Sequence, residues 1–228
     1  MTAQQTKLLT WEQLRELQLI PTPSVANAIE SFNVRPRNEG VSDGSVRPQF
    51  PELGPLVGYA VTVKVRSNER PPEGHSVNRW HVIEHLLTLP LPRIVVVQDL
   101  DPQSRRLGAM WGEVQSNTFK RLGCVGTITD GPVRDLDEVR ALGFQLFSSR
   151  VVPSHAYIHY IAVGEPVTIA GLEIHSGDLL HGDQHGFITV PPEIAGQLPE
   201  AARRVEAHER NIIAKLYAPD FKPEDLRQ

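Results

Sequence analysis

Gly112-Glu113-Val114-Gln115 and Thr129-Asp130-Gly131-Pro132-Val133-Arg134-Asp135-Leu136-Asp137-Glu138 are two loop-like stretches, and what lies between them sets the fold. The intervening chain reads as a helix over Gly112–Leu122 and then a buried strand over Val125–Thr129. A helix that returns the chain to a neighbouring parallel strand brings the two end loops to one edge of a sheet. The alternation continues outward on both sides. Leu56–Val65 is a strong strand pattern, and His75–Leu87 is helical, ended by Pro90 and Pro92. Arg93–Gln98 contains Ile94-Val95-Val96-Val97, the run of a strand buried on both faces. Asp137–Leu142 reads as a helix stopped by Gly143, and Phe144–Ser148 as a further strand. Strands alternating with helices specify an α/β fold with a largely parallel sheet.

The pattern changes after Pro166. Val167–Ile174 reads as a hairpin with a tight turn near Gly171, His175-Ser176-Gly177-Asp178 as another turn, and Phe187–Val190 as a strand, so the second half looks antiparallel. Pro192–Leu216 is a long helical pattern, and the tail after Pro219 is polar. At the other end, Thr10 has the position of an N-cap with Gln13 three residues on, and Thr22–Ile29 is a second helix with Pro23 in its first turn. Arg35–Pro55 is an irregular loop, and Arg66–Glu73 a polar, mobile one. The expected organisation is a helical extension over 1–21, one main domain over 22–210 and a tail over 211–228.

The chain has 228 residues, 40% hydrophobic and 22% charged, which is the composition of an ordinary globular domain. A net charge of −4 supplies no basic field, so nucleic acid is not an expected partner. The one cysteine, Cys124, excludes an internal disulfide and a thiolate cluster, and its apolar surroundings read as those of a buried structural thiol. Met1–Leu19 is polar and carries Glu12 and Glu16, unlike a signal peptide. No apolar run approaches the ~20 residues that span a bilayer, so a cytoplasmic protein is expected.

Gly112 before a helix leaves the first helical amides free to hold an anion, although an ordinary helix start with Glu113 complementing the dipole has the same pattern. Arg134-Asp135 follows a buried strand, beyond whose carboxyl end ligands of α/β sheets sit. An arginine fork suits a carboxylate or enolate oxygen, and an aspartate suits a hard cation. The alternative is a solvated loop in which Asp135 caps the next helix, with Glu138 as its box partner. His181 and His185, and likewise His155 and His159, are four apart, but Gly182 and Pro153 argue against helical zinc pairs, so these are surface or packing histidines. His81, Glu84 and His85 form a solvated or interface face. Serine-hydrolase elbow, P-loop and dinucleotide fingerprint are all absent.

An acidic residue, Glu113, then the twenty residues Val114–Val133, then Arg134-Asp135 and Glu138 three further on, resemble the RraA-like family. Gly177-Asp178-Leu179-Leu180 with Asp183 and Gly186 strengthens the likeness, which covers roughly Thr22 to Glu209. That family includes class II 4-hydroxy-4-methyl-2-oxoglutarate / 4-carboxy-4-hydroxy-2-oxoadipate aldolases, oxaloacetate decarboxylases and ribonuclease E activity regulators, with many members labelled demethylmenaquinone methyltransferase. The resemblance implies a three-layer α/β/β swivelling-domain sandwich, assembled as a homotrimer or homohexamer. It implies that Asp135 binds Mg²⁺ or Mn²⁺ directly and Glu113 through water. Arg134 would contact the pyruvyl oxygens of a small 2-oxo acid, and the amides of Gly112, Glu113, Val114 and Gln115 its carboxylate. Glu206 or Glu209 of a neighbouring subunit would complete the metal shell. Trp111 before the glycine and Val114-Gln115 in place of the commoner leucines depart from the family pattern and bear on the distal part of the substrate, and Arg66–Arg79 is a further stretch unlike the family.

The implied activity is a metal-dependent pyruvyl lyase with Arg134, Asp135 and Glu113 as its catalytic residues. It needs no Schiff-base lysine, and Lys64 and Lys120 lie outside both loops. The resemblance also admits a non-catalytic regulator of RNA degradation that binds protein, or a lyase for another 2-oxo acid such as a sugar-acid derivative.

Overall fold

The computed structural model describes residues 8–226; residues 1–7 of the expected extension and 227–228 of the expected tail lie outside the described residues. Helices α1 (Trp11–Gln18) and α2 (Thr22–Glu30) come first, then a two-residue strand β1 (Arg47–Pro48). The alternating section runs β2 (Leu56–Arg66), α3 (Arg79–Leu87), β3 (Arg93–Asp99), α4 (Glu113–Arg121), β4 (Cys124–Thr129), the short β5 (Pro132–Val133), α5 (Leu136–Leu142) and β6 (Gln145–Ser148). Five strands follow: β7 (Arg150–Val151), β8 (His159–Val163), β9 (Val167–Ile169), β10 (Leu172–Ile174) and β11 (Leu179–Asp183). Strand β12 (Gly186–Val190) and helix α6 (Leu198–Leu216) follow, with a 3-10 turn over Pro223–Leu226.

One mixed sheet organises these elements, in the order β1-β6-β4-β3-β2-β11-β12, with β8 also on β2. Its centre is parallel: β2 pairs β3, β3 pairs β4, and β4 pairs β6. The flanking pairings are antiparallel. Strand β3 has no edge, and its residues Ile94 to Val97 are fully buried. Alternation divides them. Val95 and Val97 join Val61, Val63 and Val65 under Val82 and Leu86 of α3, Phe119 of α4 and Val139 of α5. Ile94 and Val96 face the β9–β10 hairpin through Val167, Ile169, Leu172 and Ile174. Helices, central sheet and hairpin are thus three layers of an α/β/β sandwich, as expected. The hairpin turn falls at Ala170-Gly171, both at positive φ, where a tight two-residue connection twists with its strands.

Helices α1, α2 and the start of α6 close the other end of the sheet, packing Leu14, Leu17, Val25, Ile29 and Leu198 on Val57, Tyr59, Leu179 and Val190. Polar residues of β11 fix this layer. His181 is fully buried, with Nδ1 3.0 Å from Thr22 Oγ1 and Nε2 2.9 Å from the Leu17 carbonyl. Asp183 accepts the Thr22 amide at 2.8 Å and so caps α2, whose own N-cap is Pro21.

Several sequence expectations shift. Helix α3 begins at Arg79 rather than His75, because Asn78 accepts the Trp80 amide at 2.9 Å and His81 Nδ1 closes the box on the Asn78 amide. The expected helix over Pro192–Leu216 begins at Leu198, after a 3-10 turn over Ala195–Gln197. The Arg66–Glu73 segment is not a free loop at its start: Ser67 is fully buried. Strands β8 and β11 have no counterpart in the sequence reading. Of the helical face His81, Glu84 and His85, the last is half-buried and bonded to Ser176 Oγ at 2.8 Å.

Burial holds the His181 imidazole below its ordinary pKa, so protonating it opposes folding. Stability carried by neutral His181 is present above about pH 6.5 and lost as pH falls below it. His181→Ala is expected to lower unfolding free energy by about 2–4 kcal/mol at pH 7.5 and by less at pH 5.5. Urea titrations at the two pH values check this; an equal loss at both would show that the ring's neutrality is not what counts.

Candidate active site

The two loops quoted from the sequence do meet, at the carboxyl ends of β3 and β4. Trp111 bridges to Val133, and the Arg134 amide donates to the Trp111 carbonyl at 2.9 Å. That contact lays Gly112 against Arg134 and Asp135. A Cβ on Gly112 would lie 2.4 Å from Asp135 Oδ2 and 3.1 Å from Arg134 Nε. The φ of Gly112 is −156°, open to any residue, so glycine is required here by space and not by conformation.

Gly112 is the N-cap of α4 and has no side chain to cap with. The Asp135 carboxylate does it from across the gap: Oδ2 accepts the Glu113 amide at 2.9 Å. Val114 and Gln115 follow at the second and third positions, whose amides have no partner within any helix. Arg134 Nε stands 3.7 Å from the same Asp135 oxygen, with both side chains about one-third exposed. Among the described residues, Asp135 Oδ1, the terminal nitrogens of Arg134 and the Glu113 carboxylate have no protein partner. Free amides, an arginine fork and a carboxylate oxygen therefore face solvent at one helix end.

Asp135 does not cap α5. It occupies that N-cap position at φ +55°, in the left-handed region, where its side chain makes no bond to its own helix. The expected box with Glu138 is therefore not formed. The left-handed turn aims the carboxylate at α4, and a non-glycine residue held there is under strain. Trp111, expected to shape the pocket, is fully buried and packs on Phe119 and Phe144 at 5.3 and 5.4 Å. Gln115 is half-buried: its Nε2 donates to Tyr160 Oη at 2.8 Å, and its Oε1 accepts from Arg79 at 3.4 Å. Val114 is exposed.

The remaining candidates fall elsewhere. Glu206 is half-buried, and Glu209 accepts from Asn27 Nδ2 at 3.1 Å, on the far part of α6. Lys64 pairs with Glu165 and Lys120 bonds the Leu142 carbonyl, both outside the site. Burial pushes the Cys124 thiol up to about 12, as befits a structural cysteine. His155 and His159 bond neighbouring carbonyls, and His185 bonds Asp183.

Beside this site lies an acidic group that the sequence reading did not isolate. Asp130 Oδ1 accepts the Asp99 amide at 2.8 Å, and Oδ2 pairs with Arg106 at 2.9 Å. Asp101 accepts the amides of Ser67 and Asn68 and pairs with Arg66 at 3.1 Å. Ser67 Oγ donates to Asp99 at 3.0 Å. These bonds tie the ends of β2, β3 and β4 together and hold the loop that leads to Gly112. Burial pushes Asp130 up to about 6 and raises Asp99. Burial also pushes at Asp101, but its two amides and Arg66 outweigh it and keep that carboxyl below its ordinary value.

Could the site hold a divalent cation? Among the described residues no group of three or more His, Cys, Asp or Glu side chains is placed to bind one. Magnesium is commonly held by one or two carboxylates with the rest of its shell water. Asp135 Oδ1 and the exposed Glu113 carboxylate fit that sparse donor set.

The family model described as RraA-like: Aldolase/RraA matches residues 22–189. An uncharacterised protein of Methanocaldococcus jannaschii is 23% identical over 214 residues, covering 93% of this chain and 92% of its own. A Halalkalibacterium halodurans protein, provisionally named a 4-hydroxy-4-methyl-2-oxoglutarate aldolase, is 24% identical over 215 residues, covering 90% of each. Among solved structures, Streptomyces coelicolor RraAS2, described as an unusual member of the RNase ES inhibitor RraA protein family, superposes with a TM-score of 0.69. Its identity is 22%, over 90% of this chain and 96% of its own. An uncharacterised Pseudomonas syringae pv. tomato protein gives a TM-score of 0.72 at 24% identity, over 96% and 95%. At these identities the structural likeness speaks for the fold.

Two outcomes are expected of variants here. Gly112→Ala drives Asp135 off the Glu113 amide and should lower stability by about 1–3 kcal/mol with unchanged far-ultraviolet dichroism. A denaturation midpoint equal to wild type would show that the contact is slack. The raised Asp130 carboxyl binds its proton more tightly folded than unfolded, so its contribution falls as pH rises from about 4 to about 6. Wild type should therefore lose on the order of 2–3 kcal/mol relative to Asp130→Asn across that window, measured by urea unfolding. A pH-independent difference between the two proteins would refute it.

Proposed function

The chain belongs to the RraA-like family, and from that premise we propose that it is a divalent-metal-dependent carbon–carbon lyase, releasing pyruvate from a 4-hydroxy-2-oxo acid, from oxaloacetate or from both. The observation that carries this reading is the start of α4, where Asp135 caps only the Glu113 amide and leaves the next two amides free beside Arg134. The family model over residues 22–189 supplies the family, and the provisional name of the H. halodurans relative the reaction class.

In this reading the substrate carboxylate lies on the amides of Val114 and Gln115, and Arg134 directs its fork at the 2-oxo oxygen. Asp135 would hold Mg²⁺ or Mn²⁺ directly and Glu113 through water, and the ion would supply Lewis-acid polarisation of the 2-oxo acid. Glu113 takes the 4-hydroxyl proton through a water. The C3–C4 bond breaks, its electron pair enters the C2–C3 enolate, and C4 leaves as a carbonyl. Arg134 neutralises the enolate oxygen, and a proton returned to C3 yields pyruvate. With oxaloacetate the same bond breaks and CO₂ leaves, so one site serves both reactions.

We assign the protein to the cytoplasm; among the described residues no helix is long and apolar enough to cross a membrane. Assembly as a homotrimer or homohexamer is proposed on the exposed Ile212, Ile213, Leu216 and Tyr217 at the end of α6. The same apolar end favours the second reading, a protein-binding regulator of RNA degradation. In the first reading it would bring Glu206 or Glu209 to a neighbour's metal.

Pyruvate release from oxaloacetate and from 4-hydroxy-4-methyl-2-oxoglutarate, with Mg²⁺ and with EDTA, separates the readings. Turnover should require the ion, vanish in Asp135→Ala, and fall about 10²- to 10³-fold in Arg134→Ala. A rate no faster than Mg²⁺ without protein would abandon the lyase for the regulator.

A further inference from the structure

Arg79 is the first residue of α3, and the first turn of that helix has no acidic residue. A guanidinium there adds to the positive end of the helix dipole instead of offsetting it. No carboxylate among the described residues pairs with Arg79. Its one hydrogen bond is to Gln115 Oε1, at 3.4 Å, and Gln115 is in turn gripped at Nε2 by Tyr160 Oη, 2.8 Å away. Burial pushes the Tyr160 phenol up, so it stays neutral beside the cation.

The Gln115 side chain thus carries Arg79 to the start of α4, where the pyruvyl end of the substrate lies in the lyase reading. Arg134 and Asp135 meet α4 at Gly112 and Glu113, whereas Arg79 meets it at Gln115. An acid whose 2-oxo end lies on Arg134 therefore extends toward a second cation that has no protein counter-ion. An unneutralised arginine held by a glutamine–tyrosine pair is suited to a carboxylate.

We propose that Arg79 is the specificity-determining residue of this site, binding the distal carboxylate of a dicarboxylic 2-oxo acid and so selecting diacids over monoacids. The proposal rests on the lyase reading for its placement of the 2-oxo end, and Gln115 and Tyr160 serve it as positioning residues. Among 4-hydroxy-2-oxo acids the substrates selected are those in which C4 bears a carboxylate, and the second product is then itself an acid.

Calorimetric binding of 2-oxoglutarate and of 2-oxopentanoate, which has a methyl group in place of the distal carboxylate, tests the assignment. Both are measured with Mg²⁺ on wild type, Arg79→Gln and Arg79→Lys. Wild type should prefer the diacid by about 10- to 100-fold, the worth of one hydrogen-bonded charge. Arg79→Gln should abolish the preference and Arg79→Lys keep part of it, since a fold defect would weaken both ligands alike. Equal preference in wild type and Arg79→Gln, or no binding of either acid by wild type, overturns the proposal. The lyase reading fails separately: binding with the expected ratios but no cleavage of 4-hydroxy-2-oxoglutarate would leave a diacid-binding site that is not a lyase.

Discussion

Parallel pairing of β3 with β2 on one side and β4 on the other gives its backbone no edge and its side chains no water. Both faces must then be covered, and the sequence meets this with a continuous Ile94–Val97 run between helices on one face and a hairpin on the other. The same pairing sends the carboxyl ends of β2, β3 and β4 to one rim. Arg66, Asp99, Thr129 and Asp130 arrive there together because they end aligned strands. The loops that leave this rim inherit their positions from the sheet, and the helices that follow start beside one another. A site assembled at that rim needs no precise loop of its own; its accuracy comes from the register of the strands.

Four α-helices of this protein start without a capping side chain of their own, and at two of them an aspartate from another segment does the work. Asp183 of β11 caps α2, and Asp135 caps α4. The two differ in what remains. Asp183 is buried, and its other oxygen accepts the His185 amide at 2.8 Å, so it is fully used. Asp135 is partly open, and one oxygen is left over. Capping and cation binding compete for the same carboxylate only if both oxygens are needed, and at Asp135 they are not. The strained backbone of Asp135 and the missing Cβ of Gly112 are the two local conditions for this division of labour.

The order of the main strands and helices from Leu56 to Ser148 was legible in the sequence because each follows its period and the helices stop before Gly or Pro. Strand β11 was not legible. Leu179-Leu180-His181-Gly182-Asp183 breaks alternation, since His181 and Asp183 are buried for their bonds to α1 and α2, contacts more than 150 residues apart in the chain. Strand β8, His159–Val163, was hidden by its half-buried pattern at the sheet margin. At the site, the Gly112 and Arg134-Asp135 loops were readable from spacing, and their meeting followed from the crossover. Which helix Asp135 caps was not, because a cap in sequence and a cap in space are indistinguishable until the backbone turns left-handed. Arg79 closes a stretch that departs from the family, but its approach to Gln115 was not readable, because it depends on β8 supplying Tyr160.

The acidic residues near the rim fall into two sets, and their surroundings tell them apart. Asp99, Asp101 and Asp130 are more numerous and closer together, the arrangement that would first suggest a cation site. Their oxygens, however, are engaged by the amides of Ser67, Asn68, Asp99 and Asp101, by Ser67 Oγ, and by Arg66 and Arg106. Two cations already offset them, and burial pushes Asp99 and Asp130 toward the neutral form, the opposite of what a metal ligand needs. Asp135 and Glu113 are fewer, but they lie at the surface with oxygens to spare and with free amides beside them. Availability of lone pairs, more than density of carboxylates, decides between the two. By that criterion the buried set is the frame that fixes the loop into Gly112, and Asp135 with Glu113 is the pair left with oxygens free for a ligand.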